Sequence, residues 1–136
     1  MRTLSTMVAA AALLGLTALP ASAASASSPR VHAFSVPGVS GVRAWGSYAK
    51  SSGKVSITLC VKDTSAKVNL ALVIGIAMNT SFTRHDDITA EAHGKGKTVC
   101  RSVTTADTAR LSVLASSVGH GGASDVGKLK TIYSSS

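Results

Sequence analysis

From Lys54 onward, apolar and polar side chains alternate along the chain. Between residues 54 and 63, Val55, Ile57, Leu59 and Val61 are separated by Ser56, Thr58, Cys60 and Lys62. A period of two rich in β-branched residues predicts a strand with one wet face, because successive side chains point to opposite sides. Residues 67–78 behave differently. Val68, Leu70, Leu72, Ile74 and Ile76 fall on one face, and Ala71, Val73, Gly75 and Ala77 on the other. A strand apolar on both faces is predicted to be covered on both, at the centre of the fold. The polar run Asp63-Thr64-Ser65-Ala66 turns the chain between the two.

The flanking segments extend the pattern. Residues 41–50 read as a strand containing Val42, Ala44, Trp45 and Tyr48, and Ser51-Ser52-Gly53 turns it into a hairpin with the next. Residues 78–87 form a polar loop holding Phe82. Residues 88–93 then place Ile88, Ala90 and Ala92 inward and Thr89, Glu91 and His93 outward. Gly94-Lys95-Gly96 marks another hairpin turn, into a strand over 97–104. Residues 108–118 admit two readings. As a strand, Ala109, Leu111 and Val113 face one way; as a helix capped by Asp107, Leu111, Leu114 and Val118 form a stripe. Strand neighbours and abundant Thr, Val and Ser favour the strand. Gly119 to Gly122 is loop, and residues 126–133 are predicted as one closing strand with Leu129 and Tyr133 on the same face. About seven strands at this spacing predict an all-β, single-domain antiparallel sandwich, immunoglobulin-like or jelly-roll-like.

The N-terminus has a different character. Arg2, an apolar run over residues 7–19, Pro20 and then Ala21-Ser22-Ala23 have the layout of an export signal, cut after Ala23 or after Ala26. The run falls short of the about 20 apolar residues a membrane helix needs. No Cys directly follows either cut and the last residues are serines, so neither a lipid nor a membrane anchor is expected. The expected organisation is therefore a signal peptide over 1–23, a flexible arm over 24–40 rich in Ser, Ala, Pro and Gly, and a β-sandwich domain over 41–136. Within the arm, Val31-His32-Ala33-Phe34 is the piece expected to pair as an edge. The expected location is extracellular.

Without the leader, the 14 Lys and Arg of the chain become 13 by loss of Arg2, against 6 Asp and Glu, a net charge of +7. Such a surface suits anionic partners, whether wall polymers, acidic polysaccharide, lipid headgroups or stray nucleic acid, although positive charge equally serves solubility. Lys95, Lys97 and Arg101, with Lys128 and Lys130, are the nearest approach to a basic cluster. The 2 cysteines, Cys60 and Cys100, are predicted to be bridged outside the cell. A bridge closing about 40 residues stabilises by roughly 4 kcal/mol in the chain-entropy view. Each Cys shares its face with Ser, Thr or Lys rather than with the apolar stripe. The bridge should therefore join strands, or a strand and covering chain, on a polar face, unlike the buried inter-sheet bridge of antibody domains.

Candidate chemistry is sparse. Asp87, Glu91 and His93 could point the same way from one strand, and two carboxylates with an imidazole can hold a divalent metal, which makes them weak candidates. His85 joins them in the corresponding enzyme reading. No G-x-S-x-G elbow accompanies the many serines, and Gly119 to Gly122 lacks the Lys and helix of a phosphate loop. No catalytic set and no cofactor are predicted. His32, His85, His93 and His120 read as surface imidazoles, and Trp45, between Ala44 and Gly46, reads as a core residue.

The Ala-rich leader, the CVKDTSA stretch at residues 60–66 and the KLKTIY segment at residues 128–133 resemble small exported proteins of high-GC Gram-positive bacteria that have no assigned activity. The enediyne-carrier apoproteins and subtilisin inhibitors of such bacteria differ, each having two cysteine pairs. The expectation is a secreted, monomeric or weakly associating basic module that works by contact at the envelope or in the extracellular matrix, with an anionic envelope polymer or another secreted protein as partner and no specific nucleic acid. A second expectation is an inhibitor of another secreted protein, presenting residues 78–87 as a rigid loop. A metal-dependent or hydrolytic enzyme ranks third.

Overall fold

The computed structural model describes residues 29–83, 85–106 and 108–135. The leader, the first residues of the arm and the helix cap imagined at Asp107 lie outside the described residues. Nine strands and no helix are present among those described: β1 (Val31–Val39), β2 (Val42–Ser51), β3 (Lys54–Asp63), β4 (Val68–Asn79), β5 (His85–Ala92), β6 (Thr98–Ala106), β7 (Thr108–Gly119), β8 (Ser124–Val126) and β9 (Lys130–Ser134). They form two antiparallel sheets, one ordered β1-β2-β3-β6 and the other β5-β4-β7, with β8 and β9 both pairing β7.

Four links are hairpins and three cross between sheets. β1–β2, β2–β3, β4–β5 and β7–β8 pair as neighbours, whereas β3–β4, β5–β6 and β6–β7 pass from one sheet to the other. Leaving β1 aside, β2-β3-β6 facing β5-β4-β7-β9 has immunoglobulin-like crossings, except that β5 pairs β4 instead of joining the β2-β3-β6 sheet as in the constant-type domain. The β2–β3 hairpin forms at the expected place, with Ser52 and Gly53 at φ 52° and 79°. Two successive positive φ values give the turn whose twist matches a hairpin. Gly94-Lys95-Gly96 does turn the chain, but β5 and β6 do not pair. Local turn chemistry reports a reversal and is silent on which sheet the next strand joins.

The core is asymmetric. β3 sends Val55, Ile57, Leu59 and Val61 inward, all at most 1% exposed. Opposite them, β4 presents its small face, Ala71, Val73, Gly75 and Ala77, with Ala90, Ala92, Val113 and Ala115 beside it. Sheets pack about 10 Å apart, so large side chains from one inner face call for small ones from the other. A Cβ on Gly75 would lie 3.0 Å from Leu59 Cδ1. The larger residues of β4 consequently point away from the core. Leu70, Leu72, Ile74 and Ile76 are only half-buried on the outside of the five-stranded sheet. The predicted double cover is thus a correction: among the described residues, one face of β4 is covered and the other is not.

Other boundaries also shift. Val31–Val39, expected within the arm, is a nine-residue edge strand paired to β2, anchored by buried Val36 and interrupted by a bulge at Pro37-Gly38. Edge strands and bulges tolerate proline, which lacks the donor a central ladder requires. Residues 108–118 are strand, as favoured. The single closing strand is instead two, β8 and β9, along one edge of β7. Val126 pairs Ser116 and Lys130 pairs Val113, so the closing side has one residue more and bulges at 127–129. Leu129 is thereby left 58% exposed.

The disulfide is present. Cys60 and Cys100 are register partners on β3 and β6, neighbours in one sheet, with Cα atoms 4.0 Å apart. It lies on the outer, polar face, as the alternation implied.

Candidate binding surface

Pairing fixes which residues share the outside of the four-stranded sheet. One row runs Ser35, Trp45, Cys60, Cys100; the next runs Ser47, Thr58, Ser102; then come Ser56 and Thr104, and at one end Arg43, Lys62 and Thr98. Cross-strand hydroxyls bond to each other, Thr58 Oγ1 to Ser102 Oγ at 2.8 Å and Ser56 Oγ to Thr104 Oγ1 at 3.0 Å. Such pairs hold side chains in place on an exposed face. Trp45, expected in the core, lies instead on this outer face, half-buried beside the disulfide, with the Arg43 guanidinium 5.5 Å from its ring centroid. The core position next to it belongs to Gly46, where a side chain would strike Thr58 O and the Phe34 ring. Lys54 marks the far end of the face. Among the described residues, no carboxylate shares it.

The end bearing Arg43 and Lys62 adjoins the β5–β6 crossover, which carries Lys95 and Lys97. Asp63, the last residue of β3, locks that corner. Its N–H donates to Lys97 O at 3.0 Å and its carbonyl accepts from Gly96 N–H at 2.7 Å. Its fully buried carboxylate accepts from Ser65 N–H at 3.1 Å and Gly94 N–H at 3.0 Å. Lys95 and Lys97 are exposed, and the lock brings their chain segment beside Lys62 and Arg43. The five cations singled out from sequence do not form one patch. Arg101 lines an open cleft of about 330 Å³ between β5 and β6, with Asp86, Asp87, Thr89 and Val103. Lys128 and Lys130 sit at the β8–β9 bulge, where Lys130 Nζ donates to Ser35 O at 3.0 Å and ties β9 to β1.

The metal candidates do share a face. Asp87 and Glu91 are both on the outer side of β5, but four strand residues place them about 13 Å apart. Each is engaged by its own imidazole instead, Asp87 by His85 at 3.7 Å and Glu91 by His93 at 3.7 Å, in exposed pairs. Among the described residues, no group of three or more His, Cys, Asp or Glu could hold a metal ion. Half of the loop foreseen over 78–87 is strand, since β4 runs to Asn79 and β5 starts at His85. What is left is a tight reversal around Phe82, at φ 57°, whose ring lies 5.2 Å from the Arg110 guanidinium.

Aromatic residues that look scattered in sequence also meet. His32 stacks on Tyr48 at 5.0 Å, Tyr48 meets Phe34 at 6.4 Å and Tyr133 at 5.8 Å, and Lys50 caps the Tyr133 ring at 5.3 Å. These rings close the side of the sandwich where β1 and β9 approach, which is a packing role. Their inward alternation on β1 and β2 was the readable signal.

No known protein family matches the chain, and no curated protein is similar to it. Among solved structures, it is similar to a protein provisionally named ApaA from Bordetella pertussis, at 13% identity over 79% of this chain and 92% of that one, with a TM-score of 0.35. A second structural-genomics target is similar at 9% identity over 79% of this chain and 85% of that one, with a TM-score of 0.34. Likenesses this slight carry no argument about what the chain does.

Proposed function

We propose that this is a secreted, non-catalytic binding module whose ligand is an anionic, hydroxyl-rich polymer of the cell envelope, held on the outer face of the four-stranded sheet. One observation carries the reading. One outer sheet face combines a half-buried tryptophan, cations at both ends and bonded hydroxyls, with no carboxylate among its described residues. An indole offers a platform for sugar rings, ordered hydroxyls can donate to and accept from a polyol, and the cations attract the acidic groups. A ladder of bonded side chains loses little entropy on binding, which favours a preformed site. The disulfide supports an exported setting, in keeping with the leader-like N-terminus.

Trp45 is the only tryptophan, so its fluorescence reports directly from the face. Titration with wall teichoic acid or alginate should shift that emission, with neutral dextran giving a far smaller change. Added salt should weaken binding about ten-fold or more, because exposed charges are screened. Trp45→Ala should weaken binding about ten-fold, equivalent to about 1.4 kcal/mol. Saturable binding that is unaltered by Trp45→Ala and by Arg43→Ala would move the site elsewhere.

A further inference from the structure

We propose that a second copy of this chain covers the outer face of the five-stranded sheet, forming an isologous dimer. The inference is independent of the polymer reading, because it concerns the opposite side of the molecule.

Along β4 the face is apolar where a solvated sheet would be polar, while Thr89 on β5 and Ser112 and Ser116 on β7 share it. Leu70, Leu72, Ile74 and Ile76 run along central β4, with Leu114 and Val118 beside them on β7, all half-buried. At the margins Val126 is 68% and Phe82 50% exposed. A solvated outer face normally alternates with the core in polarity, and contiguous apolar surface of this kind marks contact. Internal packing does not require these residues, since the core uses the small face of β4.

Size and charge point to a copy of the same chain. β8 and β9 share one edge of β7, so four strand positions about 4.8 Å apart, over eight or nine residues of about 3.3 Å, span roughly 540 Å². Two such faces bury about 1,000 Å² in total, the lower bound for a specific interface. The two margins carry opposite charge. On the β5 side Asp87 and Glu91 flank the stripe; on the other, Arg110 faces outward from β7 and Lys128 lies in the β8–β9 bulge. A two-fold axis parallel to β4, between two stacked faces, lays each acidic margin over the partner's basic one, twice by symmetry. The apolar stripe then meets itself. The charged outward side of β5 also discourages strand-to-strand addition at that edge, leaving face-to-face packing as the way to cover the stripe.

Sedimentation equilibrium of the purified protein over a range of concentrations tests this. Wild type should fit a monomer–dimer equilibrium. Ile74→Lys should raise the dissociation constant about 100-fold or more, and at concentrations where the wild type is monomeric it should leave the unfolding midpoint nearly unchanged, because Ile74 lies outside the core. Val31→Lys, which alters an exposed apolar residue on the other sheet, should leave the dimer intact. Glu91→Lys keeps the stripe whole and so guards against misfolding of the first variant; it should weaken the dimer about ten-fold. A monomeric wild type overturns the proposal, whether its face stays free, is covered by the residues before Pro29, or is taken up by phosphatidylglycerol vesicles. So does a folded Ile74→Lys that still dimerises, or a Glu91→Lys with unchanged affinity.

Discussion

Asp63 shows how one buried charge can organise a corner. Its carboxylate has no exposed surface, yet both oxygens accept main-chain N–H groups, one from each of two inter-sheet links. Charge-assisted bonds of this kind are stronger than neutral ones, and removing the acceptor leaves donors unpaired in the interior. Asp63→Ala should therefore cost about 3 kcal/mol in urea unfolding, and Asp63→Asn, which keeps one oxygen acceptor, should cost less. A loss near zero for the alanine variant would show that the corner is held by something else. Gly46 is a second such point. Its missing side chain admits both Thr58 O and the Phe34 ring, so Gly46→Ala should destabilise by about 1–3 kcal/mol as overpacking. Neither role is legible in sequence. Asp63 looks like an ordinary turn residue, and Gly46 looks like a break beside a tryptophan assumed to be inside. The true parity of β2 puts Gly46 in and Trp45 out.

At the scale of elements, alternation was a sound guide to strands and a weaker one to their covers. β3 was legible in full, because its polar face is unambiguous. The polar placement of Cys60 and Cys100 followed from the same parity, and the bridge joins adjacent strands as that parity implied. Residues 108–118 were resolved as strand by composition and by their neighbours. β4 misled, because two apolar faces suggest two covers, whereas packing only needed the small one. The end of the chain misled for a different reason: a one-residue bulge has no sequence signature beyond Gly127, whose N–H bonds Ala115 O at 2.8 Å. Since the disulfide lies outside the core, its loss should weaken the fold without changing it. Replacing both cysteines with serine should lower stability by about 2–4 kcal/mol, with the far-ultraviolet dichroism of a β protein retained. Loss of that signal would mean that β6 needs the bridge in order to pair.

The whole molecule is two-sided. One outer face is hydroxylated, cationic and marked by Trp45; the other is aliphatic between margins of opposite charge. A dimer formed through the second would display two copies of the first in opposite directions. A long polymer could then be gripped at two points, so that avidity would exceed the affinity of one face by far more than any added contact would give. Positive charge was legible from composition, but its distribution was not, because Lys95 and Lys97 join Arg43 and Lys62 only through the crossover that Asp63 fastens. The central claim is the place of binding, and amide shift mapping tests it most directly. On titration with an anionic wall polymer, the largest changes are predicted at Arg43, Trp45, Thr58, Lys62 and Ser102. Changes concentrated instead at Leu72 to Ile76, or around Asp87 and Arg101 in the cleft, would contradict the account.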